Sequence, residues 1–186
     1  MAAPLVTRSF TVDEYHRMAE AGILREDDRV ELLDGQIVEM SPIGPRHARC
    51  VDDLGRLFSR RADHTVIVRI QNPLVLGVHQ EPEPDLALVV ARPDRYGRAH
   101  PGPTDVLLVI EVADTSLARD RERKLLIYAS AHIAEVWLVD LEGEQIEVYR
   151  SPTSHGYRDV RTLGRGDTVT PMLVASGPVE VREILG

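Results

Sequence analysis

Two carboxylates and one amine in this sequence have the types and spacing for metal or phosphate chemistry. Asp85 follows Pro84 at the head of an apolar run, Leu86–Val90, and Glu111 lies inside a second, Leu108–Ala113. A carboxylate within an apolar strand is costly unless it is paired or bound to a metal ion. Two of them on adjacent strands would make a hard oxygen site suited to Mg²⁺ or Mn²⁺. The amine is Lys124, the sole lysine beside twenty-one arginines. Arginine can do lysine's generic surface work, but its planar guanidinium stays charged, whereas the ammonium is compact, rotatable and readily shifted in pKa. A single retained lysine points to acid, base or point-charge chemistry; the plain alternative is a solvated helix lysine kept by chance. The other two also have plain alternatives. Asp85 could be a turn residue after proline, and Glu111 could form a buried ion pair with an arginine.

The elements that must position these groups follow an α/β pattern. Thr11-Val12-Asp13-Glu14 forms a capping box and predicts a helix to about Glu20, ended by Gly22. Asp34-Gly35 between two alternating segments predicts a tight hairpin. Val51, Leu54, Leu57 and Phe58 recur at helical spacing within a predicted helix from about Arg46 to Ala62. HTVIVRI and PLVLGV predict strands on either side of Gln71-Asn72, and the runs holding Asp85 and Glu111 predict strands buried on both faces. A helix from about Ala118 to Ala131 would place Asp120, Lys124 and Tyr128 on one face, packed back on the sheet. EVWLVD and QIEVYR predict a second hairpin, and the Gly- and Pro-punctuated tail after Ser151 predicts short strands and a last turn of helix near Val181 to Leu185.

Composition narrows the function classes. The 186 residues, 43% hydrophobic, suit one domain with a proper core. The single Cys50 excludes an intrachain disulfide framework and suits a reducing cytoplasm. No apolar run approaches the roughly 20 residues that span a membrane, so no membrane association is expected. A net charge of -8 argues against holding nucleic acid by bulk positive charge. The seven histidines show no metal-type pair at helical spacing. His47 could lie near the site, but an exposed or capping role is expected for it. No phosphate-binding glycine loop and no nucleophilic serine elbow are present.

Glu31, Pro84-Asp85, Ile110-Glu111-Val112, Asp120…Lys124…Tyr128 and Glu135–Asp140, with the Leu32–Gly35 hairpin ahead of them, form an ordered series. That series resembles the Uma-type family of putative restriction endonucleases, within the PD-(D/E)xK nuclease superfamily, from about Phe10 to Arg150. The resemblance implies a restriction-endonuclease-like mixed β-sheet flanked by helices, α/β with an α+β tendency. It implies a nuclease-like core over about residues 10–150, a short-stranded remainder over 151–186, and all of 1–186 as a single domain. It also implies metal-dependent phosphodiester hydrolysis. Asp85 matches the motif's aspartate, Glu111 its acidic partner and Glu31 the acidic residue of the leading segment. The motif's lysine would stand where this chain has Ala113; Lys124 resembles a lysine that has migrated to the next helix. Gln71 resembles a polar residue on the strand before the Pro-Asp motif, or else a strand-end amide satisfying local backbone.

The implied site therefore has Asp85, Glu111 and Glu31 holding Mg²⁺ or Mn²⁺, with the Val112 carbonyl as an extra ligand. Lys124 would orient or deprotonate the nucleophile or stabilise charge in the transition state. The expected partner is nucleic acid, with DNA favoured, and the expected assembly is a homodimer in which EVWLVD…QIEVYR offers a sheet edge. The alternative is a binding module for nucleic acid or protein that keeps the nuclease fold and does not cut.

Overall fold

Thr11 caps the first helix through its hydroxyl, which accepts from the Glu14 amide at 3.2 Å, while Glu14 reaches back to the Thr11 amide at 3.0 Å. That capping box starts α1, Val12–Glu20. The computed structural model describes residues 7–25, 27–114 and 117–186, and of residues 117–121 only the backbone. Asp34 and Gly35 adopt φ of 51° and 71°, as the tight turn joining β1 (Val30–Leu33) to β2 (Gln36–Glu39) requires. A Cβ at Gly35 would lie 2.5 Å from the Ser9 Cβ, so only glycine fits.

Next come α2 (Pro45–Arg61), β3 (Val66–Ile70), β4 (Leu86–Val90), β5 (Val106–Ala113), α3 (Leu117–Ser130), β6 (Glu135–Asp140), β7 (Gln145–Thr153) and β8 (Gly156–Gly164). β9 (Thr168–Val169), β10 (Val179–Glu180) and α4 (Val181–Leu185) close the chain. β3 to β8 form one six-stranded mixed sheet in sequential order. β5 and β6 are the parallel pair, and α3 is the crossover that such a pair needs. Every other neighbouring pair is antiparallel.

Both faces of the sheet are covered, which explains the nearly continuous apolar runs of β4 and β5. On one face Leu88, Leu108, Ile110 and Trp137 pack with Leu54 and Phe58 of α2. On the other, Val89 and Val109 pack with Ile127 and Tyr128 of α3 and with Leu33 of the small hairpin. None of the helices is long and apolar enough to cross a membrane, among the described residues.

Three expectations about the elements are corrected. Residues 73–78 do not form a strand: Leu74 and Leu76 are buried, but their amides donate to Pro82 and Gln80 carbonyls rather than to a ladder. The chain after Ser151 is not limited to short strands, because β7 runs to Thr153 and β8 adds nine residues to the main sheet. β8 is largely exposed, so burial writes no alternation into its sequence. The β6–β7 hairpin is interior to the sheet and offers no edge; the edges are β3 and β8.

Candidate active site

The register of the central strands brings the two carboxylates together. Leu86 pairs with Ile110, so Asp85, one residue earlier, lies beside Glu111 at the same end of the sheet. Asp85 is held from three elements. Its Oδ2 accepts from the Val112 amide of β5 at 2.9 Å and lies 3.1 Å from His47 Nε2 of α2. Its Oδ1 lies 3.4 Å from Gln71 Nε2, at the long limit of a hydrogen bond. Gln71 also donates its backbone amide to the Asp85 carbonyl at 3.0 Å. It does so from φ 48°, a left-handed conformation that costs a glutamine energy and is held only by its surroundings.

α3 and the small hairpin supply the rest. Arg123 binds Asp34 at 2.9 Å and the Leu33 carbonyl at 2.6 Å, fixing the hairpin against α3. The next residue, Lys124, places its ammonium 3.0 Å from Glu31 Oε2 and 3.3 Å from Glu111 Oε1. It also donates to the Glu83 carbonyl at 3.3 Å. Glu31 accepts from the Glu83 amide at 3.0 Å, and Tyr128, one helical turn past Lys124, donates to Glu111 Oε1 at 2.5 Å. Among the described residues, both partners of Glu111 contact Oε1, so Oε2 keeps its lone pairs. The side chain of Asp120, expected on the same helical face, lies outside the described residues.

These groups line a cleft of about 440 Å³. Among the described residues its walls hold Glu31, Glu39, Glu83, Asp85, Glu111 and Asp114 against Arg29 and Lys124 as permanent cations, an excess of negative charge in a half-buried space. Burial pushes the Glu111 carboxyl up to about 7; Lys124 and the Tyr128 hydrogen bond pull it down, while Asp85 and Glu31 add to the rise. Burial alone would lower the Lys124 pKa, but Glu111 and Glu31 outweigh it and hold the ammonium above its ordinary range. Glu83 is raised as well, chiefly by burial. His47 is raised chiefly by its hydrogen bond to Asp85.

The structure therefore brings Asp85, Glu111, Glu31, Lys124 and Gln71 to one place, with Val112 contributing its amide to Asp85 while its side chain sits in the core. Ala113 lines the cleft on the same strand face as Glu111, so the amine reaches from α3 and not from β5. His47 is a correction: it is neither exposed nor a cap, but faces Asp85 with only 15% of its side-chain surface exposed. Its sequence signal was the stripe it begins on α2, followed by Cys50, Val51, Leu54 and Phe58. The Glu83 backbone and the Tyr128 hydroxyl were missed as direct partners. The spacing put Tyr128 on the helical face of Lys124 but gave its hydroxyl no partner, and main-chain contacts of a loop leave no mark in sequence. Among the described residues, no three His, Cys, Asp or Glu side chains are disposed as a ready metal cage.

A family model, Uma2, described as putative restriction endonuclease, matches residues 12–180. The chain belongs to the Uma2 family. The Uma2 match extends past Arg150 to take in β8, β9 and β10. A crystal structure of a putative nuclease belonging to DUF820, from Anabaena variabilis ATCC 29413, has the same fold, with a TM-score of 0.73. The likeness covers 95% of this chain and 97% of that one at 14% sequence identity. No curated protein matches the chain. Uma2 membership makes a nuclease the family-level assignment, and the fold agrees with it.

Proposed function

We propose that this protein is a Mg²⁺- or Mn²⁺-dependent endonuclease that hydrolyses phosphodiester bonds of DNA. The observation that carries the proposal is the convergence of Asp85, Glu111, Glu31 and Lys124 on one acidic cleft. The residues fit a divalent ion: among the described residues Glu111 Oε2 has no partner, and Asp85 and Glu31 stand beside it as further oxygen donors. Asp85, Glu111, Glu31 and the Val112 carbonyl would hold the ion. The ion would supply Lewis-acid activation of a water nucleophile and offset charge on the scissile phosphate.

The chain's own groups divide the remaining work. Lys124 stays protonated between Glu31 and Glu111, so it stabilises charge on the reacting phosphate and does not remove a proton. Gln71 and His47 fix the Asp85 carboxylate, and Tyr128 fixes that of Glu111. A cytoplasmic homodimer is part of the proposal, since cutting both strands of a duplex needs two clefts.

The test is incubation of supercoiled plasmid, single-stranded DNA and RNA with Mg²⁺ or Mn²⁺. Wild type is expected to nick or linearise the plasmid, and Asp85→Asn and Glu111→Gln to fail. A second reading has its own support: Lys124 already pairs with two of the carboxylates, and no ready metal cage is present among the described residues. A non-cutting module that binds nucleic acid or protein would leave all three substrates intact.

A further inference from the structure

The outer edge of β8 offers a second interaction surface, distinct from the cleft. β8 ends the six-stranded sheet, and among the described residues no strand pairs with its far side. It is nine residues long, Gly156-Tyr-Arg-Asp-Val-Arg-Thr-Leu-Gly164, and it keeps one register with β7 from Gly156 to Gly164, interrupted only opposite Ser151, whose φ is 58°. Proteins usually blunt such an edge with proline, lysine, a bulge or a covering element. β8 contains no proline; its charged residues are Arg158, Asp159 and Arg161, and Val160 at its centre is 49% exposed.

What it does contain is a self-complementary charge pattern. We infer that β8 pairs antiparallel with the β8 of a second copy of this chain, about a twofold axis at Val160, to form a continuous twelve-stranded sheet (six from each copy). Antiparallel geometry limits the registers. Residues whose amides and carbonyls point outward alternate along a strand and must face their like, so the axis falls on a residue. An axis at Asp159 sets that carboxylate against its own copy, and an axis at Arg161 does the same for two guanidinium groups. An axis at Val160 sets Asp159 against the partner's Arg161, and the partner's Asp159 against Arg161. It also sets Tyr157 against the partner's Leu163, Arg158 against the partner's Thr162 and Val160 against the partner's Val160. Within one chain Asp159 and Arg161 already contact each other at 3.2 Å on one strand face. The same two groups can exchange partners across the axis. Opposite charges directly across an antiparallel pair favour pairing and like charges oppose it.

The twofold keeps both copies' cleft faces on one side. Glu111 lies on β5, three strands in from β8, so the two clefts would stand seven strand spacings apart, roughly 34 Å. That is close to one turn of duplex DNA. This spacing matters only if the nuclease proposal holds; the pairing itself does not depend on it.

Sedimentation equilibrium and light scattering of the full chain test the pairing without any substrate. Wild type is expected to show a concentration-dependent dimer. Asp159→Arg and Arg161→Asp, each alone, bring like charges across the axis and are expected to weaken the dimer by about tenfold or more. The double variant Asp159→Arg/Arg161→Asp restores opposite charges and is expected to dimerise like wild type. A monomeric wild type overturns the inference. So does a dimer unaffected by the single changes, or one that the double change fails to rescue. Far-ultraviolet circular dichroism on every variant separates misfolding from loss of pairing.

Discussion

Replacing Glu111 by glutamine should make the protein more stable while removing its activity. Glu111 titrates at about 7 in the fold against an ordinary 4.5, because burial disfavours its charged form. A carboxyl whose folded pKa is raised holds its proton more tightly in the native state. Its contribution is therefore fully present below about pH 4.5 and is lost as pH rises through about 7. At about 1.36 kcal/mol per pH unit, the interval between 4.5 and 7 corresponds to about 3 kcal/mol. The side chain keeps 15% of its surface exposed, so about 2–3 kcal/mol is the working figure. Glutamine keeps the shape and can still accept from Tyr128, but it never ionises. Urea unfolding should show the variant equal to wild type near pH 4.5 and about 2–3 kcal/mol more stable at pH 8. Equal stability at both pH values would mean that Lys124 and Tyr128 fully offset the burial of ionised Glu111, and the reasoning from its raised pKa would fail.

Lys124→Arg should lower cleavage by roughly 10²-fold, since the bulkier planar group does not fit between Glu31 and Glu111; steady-state rates on plasmid check this. Lys124→Met should cost about 3–5 kcal/mol in urea unfolding, with the larger loss at pH 8, where the two orphaned carboxylates are most charged. Tyr128→Phe removes the hydroxyl that stabilises ionised Glu111, so the acid limb of the rate–pH profile should move up by about one pH unit. Gln71→Gly should relieve the left-handed strain at φ 48° and gain about 1 kcal/mol in unfolding free energy. The same variant should cut activity roughly tenfold by loosening Asp85.

What the sequence shows, and what it hides, follows from how each feature is enforced. The capping box at Thr11, the Asp34-Gly35 turn and the two-sided burial of β4 and β5 are local or compositional, and each appears where its residues predict. Lys124 stood out because arginine had replaced lysine everywhere else, and its position on α3 does reach Glu111. Features decided by long-range contacts were harder to see. Residues 73–78 look like a strand by composition, but their backbone is satisfied by loops. β8 is a strand because β7 offers it a ladder, and its exposed residues carry no periodic mark. His47 faces Asp85 across 38 positions of chain, a proximity that follows from α2 packing on the sheet.

Calorimetric titration of Mn²⁺ into wild type and into Asp85→Ala/Glu111→Ala addresses the metal site most directly. One binding site per chain in wild type, tighter at pH 8 than at pH 6 as Glu111 loses its proton, and none in the double variant, is the expected result. Absence of binding in folded wild type at pH 8 would contradict a metal-dependent nuclease, whatever the convergence of the side chains.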